Sequence, residues 1–372
     1  MNETGARLLF LTKHSRCGAS SRYRTYQYLP YLEKAGFTCI SSPLFDEAYL
    51  EHRYRTGGRA YSAVLQAFVR RVKALLSASS YDLVIIEKEI LPYFPALPEF
   101  WLRWLGVPYV VDYDDALFHQ YDQHRSRWIR LAFGSKIPQV MRNAQLVTAG
   151  NAYLGDFATK AGAARVAIFP TVIDLDRYPL GRARSKESPQ PTIGWIGSPS
   201  TAKYLLEIAP SLKEVCTQED ARLHLVGSGP LELPGVPHTE LPWSESTEVD
   251  FLKQFDIGIM PLPDEPWARG KCGFKLIQYM ACGLPVVASP VGVNTEIVEH
   301  GVNGYLASST EEWSRALQAL SRDPELRHRM GAKGRQKVES SFSLQVMAPR
   351  LISSLASITV PFQRNTSTGK RC

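Results

Sequence analysis

GKCGFKLIQYMACGLPVVASPVGVNTEIVEHGVNGYL, residues 270–306, holds the densest structural signal in the chain. It opens on a glycine-bearing loop, Gly270 to Lys275, that runs into a helical stretch, KLIQYMACG (275–283), closed by Gly283. An apolar run follows, LPVVASPVG (284–292), with the length and branching of a buried strand, and NGYLA (303–307) reads as a last short strand. The first turn of a helix offers unpaired amides and the positive end of its peptide dipoles to an anion. Arg269, Lys271 and Lys275 flank that turn, which makes loop, helix and cations a candidate diphosphate cradle.

The same grammar extends outward. Upstream lie TIGWIGSPS (192–200), a strand with a Gly/Ser turn, a helix near Lys203–Thr217, and strands in ARLHLVGSG (221–229) and FDIGIMPLP (255–263). Helices are expected over 311–323 and 324–340. The first half repeats the pattern: RLLFLT (7–12), a helix from about Arg22 to Ala35 stopped by Gly36, a strand at Phe37–Ile40, a helix over Tyr61–Leu76, then strands in 81–89, 106–116, 144–151 and 164–170. Strands alternating with helices give parallel sheets covered on both faces. The polar stretch LGRARSKESPQP (180–191), with two prolines, reads as a linker. The expected division is a first domain over 1–180, a linker over 181–191, a second domain over 192–342, a helix over 343–360 packing back towards the first domain, and a flexible tail over 361–372.

The length, 372 residues, suits two α/β domains. The six cysteines fit no zinc-site spacing, so free thiols are expected. There is no uninterrupted apolar run of about 20 residues and no signal-peptide core, so a cytoplasmic protein is expected. The net charge of +7 is uneven: residues 1–180 carry 22 basic and 16 acidic residues, the remainder 21 and 20. No nucleic-acid module accompanies this excess, so nucleic acid is not an expected partner and an anionic membrane face is the better one. The stretch 52–76 stands out, with Arg53, Arg55, Arg59, Arg70, Arg71 and Lys73 and no acid between Glu51 and Asp82. Its apolar residues Val64, Leu65, Phe68, Val72 and Leu75 either face a membrane interface or pack on the sheet.

In the first half, VVDYDDALF (110–118) is an apolar strand ending in three acids, where parallel sheets bind ligands. Asp112 reads as a turn or cap acid. The DxDD pattern could also hold a metal, but none is expected if cations and amides serve the diphosphate. In HSRCGASSRYR (14–24), Gly18, Ala19 and Ser20 allow close backbone approach to substrate. Arg16, Arg22 and Arg24 either contact acceptor or phosphate or form a solvated basic face.

The 270–306 segment, continued by DPELRHRMG (323–331) and FS (342–343), resembles the retaining glycosyltransferases of family 4. The likeness spans most of 7–357 and is specific at 270–306. It implies the GT-B fold: α/β, two Rossmann-like domains facing each other across a cleft. It implies a nucleotide diphosphate sugar as donor, a glycan or lipid-linked acceptor hydroxyl, retention of anomeric configuration, and neither metal nor cofactor. A role in surface polysaccharide or lipid-linked glycan synthesis, with peripheral contact to the inner face of the membrane, is expected by the same analogy.

By position, the resemblance places Lys203 at the pyrophosphate, where it would stabilise the leaving group. Gly18, Lys271, Cys272, Gly273, Phe274 and Lys275 complete the donor diphosphate set. Asp114 stands where many members have a histidine near the reacting sugar, with Asp115 next to it; both are candidate catalytic acids. Leu241 and Trp243 in LPWSES (241–246) would contact the base, though a core role for Trp243 is equally open. Ser198 and Thr201 would cap a helix or meet phosphate.

The family's two acids around the loop, eight residues apart, fall here on Gly270 and Gln278. Gln278 would then hold the ribose by its amide, and Asp264 or Glu265 would reach the sugar. Loss of both acids keeps a non-catalytic glycan-binding homologue open, and a nucleotide-sugar epimerase on the same fold is a further alternative.

Overall fold

The computed structural model describes residues 5–49, 61–180 and 190–367. Arg53, Arg55 and Arg59, most of the expected linker, and residues 368–372 of the expected tail lie outside them. The chain divides into two compact units, one holding the residues up to Thr171 and those from Met347 onward, the other Val172–Val346. Residues 172–180, given to the first domain by the sequence, therefore belong to the second unit. Ile173 joins it by hydrogen bonds in both directions, its amide donating to the Phe342 carbonyl (3.2 Å) and its carbonyl accepting from Leu344 (2.8 Å).

The first unit is built on β1 (Arg7–Leu11), β2 (Thr38–Ser41), β3 (Leu83–Glu87), β4 (Tyr109–Tyr113), β5 (Leu146–Ala149) and β6 (Val166–Ile168). They form one sheet in the order β2-β1-β3-β4-β5-β6, parallel throughout. The inner strands β3, β4 and β5 are largely buried on both faces because helices cover both sides, while the edge strands β2 and β6 are partly exposed. The helix expected over 22–35 is broken. Arg22–Tyr26 winds as a π-type turn and a separate helix, Leu29–Lys34, starts with Pro30 in its first turn. Proline has no amide hydrogen to continue the preceding turn, and it is tolerated at a helix start. The helix Tyr61–Leu76 has the bounds its periodicity gives.

The second unit carries β7 (Thr192–Ile196), β8 (Arg222–Val226), β9 (Thr239–Leu241), β10 (Ile257–Met260), β11 (Val286–Ala288) and β12 (Gly304–Leu306). Their order is β12-β11-β10-β7-β8-β9, again all parallel. The two-residue period of the strands separates two cores. Ile193, Trp195, Ile257, Ile259 and Val287 face Leu212, Val215, Trp313 and Leu317. Ile196, Met260, Val286 and Ala288 face Leu276, Ile277, Tyr279 and Met280 of the helix Phe274–Ala281. The stretch near 203–217 is not one helix: a 3-10 segment, Lys203–Ile208, precedes a helix Ala209–Gln218 with Pro210 in its first turn. Strand order reverses between β1 and β3 in the first sheet and between β7 and β10 in the second, and ligands bind parallel sheets outside the carboxyl ends at such points.

Candidate functional site

In the second unit the reversal point is wedged by Tyr279. Gly258 in β10 lacks a side chain where the ring lies; a Cβ there would sit 2.3 Å from it. The Tyr279 hydroxyl accepts from the Ile196 amide (3.0 Å) and donates to the Ile259 carbonyl (3.3 Å). One side chain thus ties the last turn of β7 to β10 and fixes the helix Phe274–Ala281 beneath both.

That helix begins at Gly273, in the left-handed conformation (φ +64). A Cβ at Gly273 would fall 2.3 Å from Ile297 Cδ1, so backbone and packing both demand glycine. Two residues on, Lys275 sends its ammonium to the loop after β7. Its Nζ lies 4.3 Å from the centre of the Trp195 ring and 3.3 Å from Thr201 Oγ1. A Cβ at Gly197 would come within 2.7 Å of it. Burial, and secondarily the charge of Lys271, lower the Lys275 pKa to about 7. Beside this site, Gly227 (φ +75) leaves no room for a side chain: a Cβ would lie 2.5 Å from the Gly197 carbonyl oxygen and 3.0 Å from Trp243 Cβ. Bare backbone from the ends of β7 and β8 therefore floors a site with a withdrawn cation at its edge, a geometry suited to phosphate oxygens.

The other predicted residues of this unit fall around that centre unevenly. Lys271 lies over the Trp267 ring (5.4 Å) and Cys272 is buried. Lys203 is exposed over the Tyr204 ring (5.4 Å). Glu265 faces the same segment: together with burial, its charge raises the pKa of Tyr204 and of Glu207. Asp264 is bound by Arg269 at the surface (2.7 and 3.0 Å), so that arginine is turned to the acid. Ser198 and Thr201 form a capping box on the turn Pro199–Ala202.

Gln278 does not face outward as a ribose contact would. It is buried, and its amide donates to the Tyr178 hydroxyl (2.9 Å). Tyr178 donates in turn to Glu248 Oε1 (3.3 Å), while Glu248 Oε2 accepts from Trp243 Nε1 (3.1 Å). Trp243 is 38% exposed, so it is not a core residue, and its indole N–H is anchored on the buried Glu248 carboxylate. Tyr178 and Glu248 were not legible as parts of this chain, since only the fold brings 178, 248 and 278 together.

In the first unit the acids at the end of β4 are held by cations. Asp112 is not a turn cap. Arg24 Nε donates to its Oδ2 (2.9 Å) and Thr148 Oγ1 to its Oδ1 (2.6 Å). Arg22 and Arg24 are both buried, which corrects their reading as a solvated face; Arg16 is exposed. Asp114 and Asp115 meet at Lys88, whose Nζ lies 2.8 Å from Asp114 Oδ1 and 2.8 Å from Asp115 Oδ2. Neighbouring Glu87 is buried, accepting from Ser21 Oγ (2.7 Å) and the Lys13 amide (3.0 Å), and burial raises its pKa. Gly18 is also buried, and a Cβ there would strike His14 Cβ at 2.4 Å. Among the described residues no group of three His, Cys, Asp or Glu side chains is arranged to hold a metal ion.

The model of the glycosyl transferases group 1 family matches residues 190–323, a span that contains the whole cradle. Residues 190–323 are a glycosyl transferases group 1 domain. The two six-stranded parallel sheets are those of the GT-B fold. The chain aligns with Anabaena HepE in complex with UDP at a TM-score of 0.71 and 17% identity, covering 94% of this chain and all of that one. It aligns with sucrose-phosphate synthase from Thermosynechococcus elongatus at 0.68 and 16%, covering 95% and 99%. In sequence it is 27% identical over 179 residues to N-acetyl-alpha-D-glucosaminyl L-malate synthase of Bacillus anthracis, 45% of each chain. It is 28% identical over 210 residues to D-inositol 3-phosphate glycosyltransferase of Jonesia denitrificans, 56% of this chain and 45% of that one. The group 1 domain thus lies in a chain that spans just under half the length of these curated relatives.

Proposed function

We propose that the chain transfers a sugar from a nucleotide diphosphate sugar to an acceptor hydroxyl, with retention of anomeric configuration. The observation that carries this reading is Lys275, a withdrawn ammonium beneath side-chain-free backbone at the β7/β10 reversal point of a group 1 domain. The diphosphate binds at Gly197 and Gly273 with Lys275 and Lys271, and Lys203 approaches the departing phosphate as charge grows on it. Trp243 walls the base. Asp114 and Asp115 orient the acceptor hydroxyl. The reaction uses no metal: the diphosphate has its own cations, and the acids of the first unit are already matched by Arg24 and Lys88.

The acceptor is a glycan, free or lipid-linked, and the enzyme works at the inner face of an anionic membrane. No helix among the described residues is long and apolar enough to cross a membrane. The helix Tyr61–Leu76 supports peripheral contact through part of the expected face: Leu65 and Val72 are exposed, while Leu75 is buried and Val64 and Phe68 half-buried. Arg71 is buried with its guanidinium on the Thr12 carbonyl, and Arg70 pairs with Asp46 (2.9 Å). Leu65, Val69, Val72 and Leu76 instead form an exposed stripe, with Lys73 alongside.

The test is a panel of UDP-, GDP- and ADP-sugars, read first by thermal shift and then by product NMR with candidate acceptors. A stabilising nucleotide sugar whose sugar appears on the acceptor with unchanged anomeric configuration is the expected result. A new nucleotide sugar formed without acceptor would assign an epimerase. Binding without turnover would assign a non-catalytic homologue lacking the acids replaced by Gly270 and Gln278.

A further inference from the structure

β3 ends at Glu87, and the next residue adopts a backbone conformation that lysine has no intrinsic reason to adopt. Lys88 is left-handed (φ +66). Its amide still donates to the Asp112 carbonyl (2.9 Å), so the turn stays in register with β4. The left-handed turn sends the side chain across the carboxyl edge of the sheet, where it is buried to 6% exposure. Its ammonium stands 2.8 Å from one oxygen each of Asp114 and Asp115, with Ser20 Oγ at 3.5 Å. The cation is thus more deeply placed than the acids, whose side chains are 11% and 22% exposed.

Two adjacent carboxylates repel one another. A shared ammonium offsets that repulsion and fixes both side chains. We propose that Lys88 is a positioning residue for sugar transfer: it holds the Asp114 and Asp115 side chains together, aimed at the acceptor hydroxyl, without touching substrate itself. A hydroxyl held by an ionised carboxylate is oriented and made more nucleophilic. The strained backbone serves this placement, since an extended residue at 88 would direct its side chain along the strand pleat. The inference rests on the glycosyl-transfer reading.

The experiment compares the full chain with K88M and K88R, using a donor and acceptor that the wild type turns over. K88M is expected to lose roughly 10- to 100-fold in transfer to the acceptor. Its affinity for the nucleoside diphosphate should stay at the wild-type value, because the cradle lies in the other unit. K88R, which keeps the charge with a longer reach, should recover part of the transfer. Wild-type transfer by K88M would overturn the proposal, as would parallel loss of nucleotide binding and transfer. If K88M does not fold, K88R decides: full transfer would reduce Lys88 to a structural counter-charge, and reduced transfer with intact nucleotide binding supports positioning. A wild-type chain that binds donors and transfers nothing would overturn the glycosyl-transfer reading, and this one with it.

Discussion

The Lys275 ammonium lies 4.3 Å from the centre of the Trp195 ring, at a place that only the missing side chain of Gly197 leaves open. The indole face favours the cation, but burial and Lys271 act against it and bring its pKa to about 7. A bound diphosphate would favour the charged form. Below that pKa the lysine is already protonated, and above it binding must draw a proton from solution. Nucleoside diphosphate affinity should therefore fall as pH rises above about 7. Calorimetry at pH 8 in buffers of different ionisation heat should register proton uptake, abolished in Lys275→Ala. That variant should also bind roughly tenfold or more weakly, as expected for a lost charge-assisted contact. Buffer-independent heats and an unchanged dissociation constant would place the diphosphate elsewhere.

Gly197→Ala tests the same site from the backbone side. Its methyl group would enter the 2.7 Å gap to Lys275 Nζ and press on the Trp195 ring at 2.6 Å. Diphosphate binding should weaken at once. By contrast, Gly273→Ala combines a left-handed backbone with a 2.3 Å clash on Ile297, and should lower stability by about 1–3 kcal/mol. Chemical denaturation and nucleotide titration of both variants separate the two effects.

Which parts of this architecture the sequence discloses follows from the range of the forces involved. Most strands of both sheets are visible because they are apolar runs between turn residues, whereas β9, Thr-Glu-Leu, carries no such signal; the loop and helix at 270–283 stand out because they are contiguous. The breaks at Pro30 and Pro210 are local signals too, and were outweighed by the periodicity around them. Arg22 and Arg24 mislead for the opposite reason. A basic cluster in a loop reads as solvated until the sheet brings Asp112, 88 residues away, to Arg24. Lys88 sits between two glutamates just after β3, and its partners Asp114 and Asp115 lie beyond the end of β4, far away in the chain.

The chain of contacts from Gln278 through Tyr178 and Glu248 to Trp243 should be felt as a unit. Tyr178→Phe leaves the buried Gln278 amide and Glu248 without their shared hydroxyl, at a cost of about 1–3 kcal/mol in unfolding free energy. If Trp243 walls the base, discrimination among UDP, GDP and ADP should narrow in the same variant. Unaltered discrimination in a destabilised protein would detach Trp243 from base recognition.

Turnover should survive excess EDTA. Loss of activity, restored by Mg²⁺ or Mn²⁺, would reassign the acids at the end of β4 to a metal and remove the diphosphate role from the lysines.

Sedimentation with vesicles tests the exposed stripe. Anionic vesicles should carry the protein down and neutral ones should not, with high salt weakening the effect. Leu65→Ser with Leu76→Ser should release it without unfolding, because both side chains are 67% exposed. Arg71→Glu would not be informative about lipid, since it buries an acid. Equal recovery in the supernatant with both vesicle types would leave an enzyme with a carrier-presented or free acceptor.

The Tyr279 hydroxyl, bonded to β7 and β10 together, makes the helix Phe274–Ala281 an inseparable part of the sheet. If the proposed sugar transfer holds, this helix is therefore the wrong element to redesign for another sugar nucleotide. Re-aiming it would unpick strand contacts before it changed recognition. Exchangeable material lies in the rims that the sheet only anchors, at 242–247 and 261–270, where a transplanted loop would leave the glycine-lined floor at the ends of β7 and β8 unaltered.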